Sequence, residues 1–149
     1  MKTVVKIAML LTLAALLTSF AAADTPGAHP AYLHALTDLR HARAHLDRWV
    51  PNGRVDSDES RAIHAIDAAI NDIKQAAIDD GKPLSDHPPV DEHWGAPDRF
   101  HRALGLLDGA YNDINQREDD RWNHGLKHRA LGHIDEARRA IHHALHDRY

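Results

Sequence analysis

The stretch AIHAIDAAINDI, residues 62–73, carries the pattern that decides the fold of this chain. Ala62 and Ile63 are followed by an aliphatic residue at position 66, an alanine at 69 and an aliphatic residue at 73. Spacings of three and four place these side chains on one face of a helix. Four copies occur along the chain: Ala35-Leu36-Leu39-Ala42-Leu46, Ala62-Ile63-Ile66-Ala69-Ile73, Ala103-Leu104-Leu107-Ala110-Ile114 and Ala130-Leu131-Ile134-Ala137-Ile141. We expect four helices that bury these stripes against one another.

The distances between the copies indicate a duplication. The first and third copies are 68 residues apart, and so are the second and fourth. With this offset Tyr32 corresponds to Phe100, and Asp67 corresponds to Asp135. A constant offset across two helices favours a repeated helical hairpin. The sequence therefore predicts an all-α fold, an up-down-up-down four-helix bundle made of two similar helical hairpins.

Breakers and capping residues delimit the four helices. The predicted helices run from near Pro30 to Trp49, from Asp56 to Gly81, from Asp98 to Glu118 and from Asp120 almost to Tyr149. The proline-rich connection at 81–97 is expected to cross between the two hairpins. Connections of this length are often functional, and this one contains His87, His93 and Trp94. The alternative is a connection that only caps the open end of the bundle.

The first 23 residues are predicted to be a cleaved signal peptide. Lys2 and Lys6 supply a basic start, an apolar run follows at 7–17, and three alanines at 21–23 precede Asp24. No later stretch approaches the roughly 20 apolar residues of a membrane-spanning helix. We therefore expect a single four-helix bundle domain at 24–149, periplasmic or secreted, without stable membrane insertion after cleavage.

Composition and missing motifs exclude several classes of protein. The 149 residues contain no cysteine and have a net charge of −4 with neutral histidines, so neither a disulfide framework nor a nucleic-acid-binding surface is expected. Covalent haem needs cysteine, and the two methionines, Met1 and Met9, lie in the predicted signal peptide. The Glu-x-x-His, His-Glu-x-x-His and Gly-x-Ser-x-Gly motifs are missing from the sequence, as is a phosphate-binding loop. We expect no haem, no catalytic residues and no enzymatic activity.

Histidine is the compositional outlier, with 14 residues. Three pairs are spaced four apart, which puts two imidazoles on one face of a helix and lets one metal ion bridge them. On the first helix, His34 and Asp38 share the same polar line. The predicted metal ligands are His41, His45, His124, His128, His142 and His146. Imidazole suits copper, zinc and nickel ions. Two alternatives remain open: histidine only fills polar positions, or its protonation loosens the bundle at acid pH.

The segment Asn123-His124-Gly125-Leu126-Lys127-His128, followed by His133, Ala137, His142, His143 and Ala144, resembles the small metal-binding protein of ammonia-oxidising bacteria. The resemblance implies an exported, histidine-rich four-helix bundle that takes up divalent metals, notably copper. Histidine is sparse on the second and third helices of this chain, so the resemblance implies binding on the first and fourth.

Two functional hypotheses follow. The first is an exported protein that binds or buffers divalent transition-metal ions through its histidine pairs. The second is a non-catalytic periplasmic interaction, chaperone or stress-response protein, which would expose an apolar patch.

The repeated pairs Asn71-Asp72 and Asn112-Asp113 are predicted to hydrogen-bond between helices or to line a small polar site.

Overall fold

The structure is a computed structural model that describes residues 29–47, 57–91 and 98–147. Over these ranges the chain is all-helical and without strands, which confirms the predicted four-helix bundle. The helices are α1 (Tyr32–Leu46), α2 (Ser57–Asp79), α3 (Arg99–Ile114) and α4 (Asn123–His146). The predicted signal peptide, residues 1–23, and the connection residues His93 and Trp94 lie outside the described residues. In the described ranges no helix is both long enough and apolar enough to span a bilayer.

The repeated pattern builds the core. Both alanines of every copy are completely buried, and the aliphatic residues between them are buried or packed against the core. Tyr32 and Phe100, which correspond in the two hairpins, are buried as well. The small alanine side chains let neighbouring helices approach closely, and the isoleucines and leucines fill the space between them.

The helix ends depart in places from the prediction. α2 ends at Asp79 because Gly81 adopts the left-handed conformation, with φ of 69°, that lets the N–H groups of residues 81 and 82 bond back to the last turn. α3 ends at Ile114, four residues before the predicted end at Glu118. The Glu118 side chain is instead buried and accepts a hydrogen bond from the Tyr32 hydroxyl.

Contacts between the helices fix their order around the bundle. α1 packs on α2 and α3, and α4 packs on the same two helices, so α1 and α4 are diagonal. α1 and α3 are antiparallel. His34 near the start of α1 bonds to Asp113 near the end of α3. At the opposite end of the bundle, Arg99 donates to the carbonyl oxygen of Leu46.

The helix directions differ from the predicted up-down-up-down order. Lys82, just after α2, donates to the carbonyl of Pro30, just before α1, so these helices are antiparallel. Asn123 at the start of α4 donates to Asp80 at the end of α2, so this pair is antiparallel too. With α1 antiparallel to α3, the order is up-down-down-up, and α2 is parallel to its diagonal neighbour α3. A connection between two parallel helices must run the length of the bundle, and the described part of this one, residues 80–91, reaches the middle of α1.

The described part of the connection between α2 and α3, residues 80–91, leaves the end of the bundle and reaches the α1–α3 interface. Leu84 and Val90 pack against the core. Asp91 then reaches α1, where its backbone N–H donates to the Asp38 carboxylate over 3.0 Å. The reversed order of helix directions therefore brings a loop carboxylate to the middle of two helices.

Candidate metal centre

Four ionisable side chains meet where the connection crosses α1 and α3. His34 and Asp38 lie one turn apart on α1, Asp113 is in the last turn of α3, and Asp91 belongs to the connection. We call this group the interhelical cluster. It assembles because residues four apart on α1 share a face, and because that face is turned towards α3 and the connection.

His34 links two carboxylates through its two ring nitrogens. Its Nδ1 lies 2.5 Å from Oδ2 of Asp113, and its Nε2 lies 3.5 Å from Oδ1 of Asp91. An ionised carboxylate can only accept, so Nδ1 carries the proton in the bond to Asp113. This tautomer leaves the Nε2 lone pair of a neutral His34 directed towards Asp91.

Asp38 is the most buried member of the cluster, with 0% of its surface exposed. Its Oδ1 accepts the bond from the Asp91 backbone, while its Oδ2 is buried and without a hydrogen-bond partner in the part of the chain that the structure describes. Burial raises the pKa of Asp38, and the nearby Asp91 and Asp113 charges act in the same direction. Buried polar atoms without partners are uncommon and call for an explanation.

For His34, the surroundings favour the charged form of the side chain. Partial burial disfavours its charged form, but the hydrogen bond and charge of Asp113, with the charges of Asp38 and Asp91, outweigh this effect and raise the His34 pKa. In the absence of a metal ion, the cluster therefore favours a proton on His34. A divalent cation that displaced this proton would meet the same attractive field.

Gly109 on α3 leaves space beside the two carboxylates. A methyl group at this position would lie 3.0 Å from Oδ2 of Asp38 and 3.3 Å from Oδ2 of Asp91. Two carboxylate oxygens from different segments therefore converge on a point that only glycine leaves open.

The arrangement matches the ligand chemistry of a divalent ion. Three ligand atoms lie within 4.8 Å of one another, one from each of His34, Asp38 and Asp91. Two ligands of one tetrahedral zinc ion lie about 3.3 Å apart, close to the 3.5 Å between His34 Nε2 and Asp91 Oδ1. A carboxylate bonded to the other ring nitrogen, as Asp113 is here, is the usual outer partner of a metal-binding histidine.

A second group with this potential lies at the end of the bundle where α2 ends and α4 begins. It contains His29, Asp80 and Glu118, whose ligand atoms also lie within 4.8 Å of one another. Tyr32 and Asn123 bond to its two carboxylates. We call these five residues the end cluster.

The six histidines predicted as ligands belong to neither group of potential ligand atoms among residues 29–47, 57–91 and 98–147. The first pair is split by burial: His41 is exposed, whereas His45 is 4% exposed. The polar line predicted on α1 is therefore partly internal. The last turn of α1 is covered by the start of α3, where Arg99 bonds to the Leu46 carbonyl.

The two pairs on α4 are exposed, as the sequence predicts for a surface site. His124 and His128 line one groove together with Glu118 and Lys127, which carry opposite charges. The Nε2 of His124 is also 2.8 Å from the carbonyl oxygen of Glu118. His142 and His146 lie in the last turns of α4. Metal binding by all three pairs stays a prediction.

Sequence reasoning placed His34 and Asp38 on one polar line but did not choose them as ligands. Asp113 was visible as half of the repeated Asn-Asp pair, and its bond to His34 agrees with the predicted interhelical role. Asp72 of the other pair also bonds between helices, to Arg129. The length of the connection marked it as a candidate for function, but no signal singled out Asp91 in it, because a loop residue follows no helical period.

No family model, no curated protein and no solved structure matches this chain.

Proposed function

We propose that this chain binds a divalent transition-metal ion at the interhelical cluster, through His34 Nε2 and the carboxylates of Asp38 and Asp91. The observation that carries the proposal is the Asp38 carboxylate, which is fully buried yet has an oxygen without a hydrogen-bond partner in the described chain. A buried charge is expected to be paired or to bind a metal ion. The ion would supply the missing partner.

The donor set favours zinc, copper(II) or nickel. It combines one imidazole nitrogen with carboxylate oxygens and lacks the sulfur ligands that copper(I) prefers. Asp113 would orient His34 and increase its basicity, as outer carboxylates do in zinc sites. Three protein ligands leave a coordination position for water or for a transfer partner.

Exposure of the cluster supports a role in buffering or sequestering ions rather than in permanently holding one. The Asp91 side chain is 50% exposed and that of His34 is 26% exposed, so an ion could enter and leave from the side of the connection. In a periplasmic or secreted protein, as the first 23 residues predict, such exchange would serve metal storage or delivery.

The alternative of an interaction or chaperone protein receives less support. The large hydrophobic residues exposed in the described ranges are Ile78 and Trp122. Surface hydrophobics in this number are ordinary for a monomer and do not indicate a docking patch.

Calorimetric titration of the untagged protein with Zn²⁺ tests the proposal. We expect Asp38→Asn and His34→Gln each to lower the number of tightly bound Zn²⁺ ions by one, because each removes a ligand of the interhelical cluster. The control is His41→Gln/His128→Gln/His142→Gln, which breaks each of the three histidine pairs at an exposed member and should retain every tightly bound ion. Asn has the size of Asp, and circular dichroism would verify that the Asp38→Asn protein is folded.

The opposite pattern would refute the assignment. If the Asp38→Asn protein bound as many Zn²⁺ ions as the parent and the pair-broken variant bound fewer, the histidine pairs would be the site. A titration at decreasing pH gives a second criterion. Binding should weaken as the pH falls below the raised pKa of His34, since protons and metal compete for the imidazole.

A further inference from the structure

The end cluster has the organisation of a metal site with outer-sphere support. His29 Nδ1 lies 3.1 Å from Oε1 of Glu118 and 3.4 Å from Oδ1 of Asp80. Tyr32 donates its hydroxyl proton to Oε2 of Glu118 over 2.5 Å. Asn123 donates from Nδ2 to Oδ1 of Asp80 over 2.7 Å. Asp80 is therefore oriented by a neutral donor on one oxygen and Glu118 by neutral donors on both, since Oε1 of Glu118 also accepts from the Asp120 backbone N–H over 2.7 Å. Outer donors of this kind usually orient the ligands of metal ions.

Two buried oxygen atoms of the end cluster are without hydrogen-bond partners in the described residues. They are Oδ2 of Asp80 and Oδ1 of Asn123. Asp80 is 4% exposed and Asn123 is 0% exposed, so water offers little compensation. Both atoms are hard oxygen donors of the kind that divalent cations bind, and the two side chains are already joined by a hydrogen bond.

The charges of the end cluster also favour a cation. The side chains of Asp80 and Glu118 are each 1% exposed, and burying two carboxylates together is unfavourable without positive charge. Asp80 caps the C-terminal end of α2, where the helix dipole further disfavours a negative charge. The nearby positive groups are His29, when protonated, and Lys82, which bonds to the Pro30 carbonyl and lies over the Tyr32 ring.

We infer that the end cluster is a second metal site, which holds a divalent ion such as Zn²⁺ or Mn²⁺ through His29, Asp80 and Glu118, with Asn123 Oδ1 available as a fourth ligand. This inference goes beyond the interhelical site and does not depend on it. The ligands come from the segment three residues before α1, the end of α2 and the α3–α4 connection. An ion there would join three chain segments and stabilise the bundle.

The two sites differ in enclosure, so they should differ in exchange rate. Side-chain exposures in the end cluster are 13% for His29 and 1% for each carboxylate, against 26% for His34 and 50% for Asp91 in the interhelical cluster. A chelator should remove the interhelical ion quickly and the end-cluster ion slowly.

The test uses equilibrium dialysis of the untagged pair-broken protein (His41→Gln/His128→Gln/His142→Gln) against Zn²⁺, with metal content measured by mass spectrometry. We expect two tightly bound ions in this background. Adding Asp38→Asn should leave one ion, and adding His29→Gln should leave one. The combination should leave none. Thermal unfolding with and without Zn²⁺ gives a second readout, and the shift that survives Asp38→Asn should disappear when His29→Gln is added.

The outcomes separate the two proposals. If Asp38→Asn removes the one bound ion and His29→Gln removes none, the interhelical site stands and the end-cluster site is overturned. If Asp38→Asn leaves the bound ion and His29→Gln removes it, the end-cluster site stands and the interhelical site falls. A folded His29→Gln or Asp80→Asn protein that still binds two ions would also overturn the inference. In that case His29 pairs with the two carboxylates as a protonated imidazole.

Discussion

Two glycines in α3 form a matched pair for testing how closely the carboxylates pack. Gly105 and Gly109 lie one turn apart within the same helix, and each can be replaced by alanine. A methyl group at Gly105 would meet nothing within 4 Å. At Gly109 it would lie 3.0 Å from Oδ2 of Asp38 and 3.3 Å from Oδ2 of Asp91.

The expected effects follow from these distances. Alanine in a helix interior is favoured over glycine by about 1 kcal/mol, so Gly105→Ala should stabilise the protein by about that amount. Gly109→Ala has the same gain, but its shortest contact is 0.4 Å below the 3.4 Å at which ordinary contacts begin. Asp38 is fully buried and tied to the Asp91 backbone, so it cannot easily withdraw. Overpacking of this kind costs about 1–3 kcal/mol, which makes Gly109→Ala neutral to destabilising.

Urea and thermal unfolding of the two variants measure the difference. A change of 1 kcal/mol corresponds to a shift in Tm of roughly 3–5 °C for a domain of this size, so the two alanine variants should be clearly separated. Zn²⁺ titration should show weaker binding for Gly109→Ala and unchanged binding for Gly105→Ala. Equal stabilisation by both substitutions would refute the reasoning, because it would mean that the two carboxylates do not converge on Gly109.

Three further predictions concern ionic contacts and capping. Arg99→Met removes the guanidinium that bonds both oxygens of the nearly buried Glu59, and should cost about 3 kcal/mol in urea unfolding; the double variant Glu59→Met/Arg99→Met should recover much of this loss. Asp98→Ala should cost about 1 kcal/mol, because the Asp98 side chain accepts from two backbone N–H groups at the start of α3. The third prediction is a pH effect in the presence of a chelator. Because the folded His34 pKa is raised above its ordinary 6.5, the contribution of His34 is complete below that pH and is lost as the pH rises through the folded value. His34→Gln should therefore destabilise the protein more at pH 5.5 than at pH 8.5, and equal losses at both values would contradict the assigned ion pairs.

The core could be predicted from the sequence because its signal is local. The alanines of the repeat, such as Ala69 and Ala137, are completely buried at the positions that the helical period gave. The directions of the helices could not be predicted from a local pattern. They depend on the path of the connection, and that path is set by contacts such as the bond from Asp91 to Asp38, made between residues far apart in sequence.

The candidate sites were only partly visible for the same reason. A period of four identifies His34 and Asp38 as neighbours, but cannot tell that they face α3 instead of solvent. The histidine spacing predicts a surface pair at His41 and His45, yet the second of them is buried. In the end cluster, His29 and Glu118 lie outside the helices and follow no period, so only the folded chain brings them together.

The duplicated hairpin supplies an internal control for Asp38. With the 68-residue offset Asp38 corresponds to Leu106, and the two residues are buried to the same degree, 0% and 1% exposed. The scaffold thus packs a leucine at this position in its second hairpin, so the core does not require a carboxylate there. Replacing a buried charge by a well-packed hydrophobic side chain is often neutral or stabilising by about 1–4 kcal/mol, and burial raises the pKa of Asp38. We therefore expect Asp38→Leu to raise the free energy of unfolding of the metal-free protein while removing the Zn²⁺ ion of the interhelical cluster. Opposite changes in stability and binding mark a residue kept for function. A less stable Asp38→Leu protein that binds Zn²⁺ unchanged would show instead that Asp38 serves the fold.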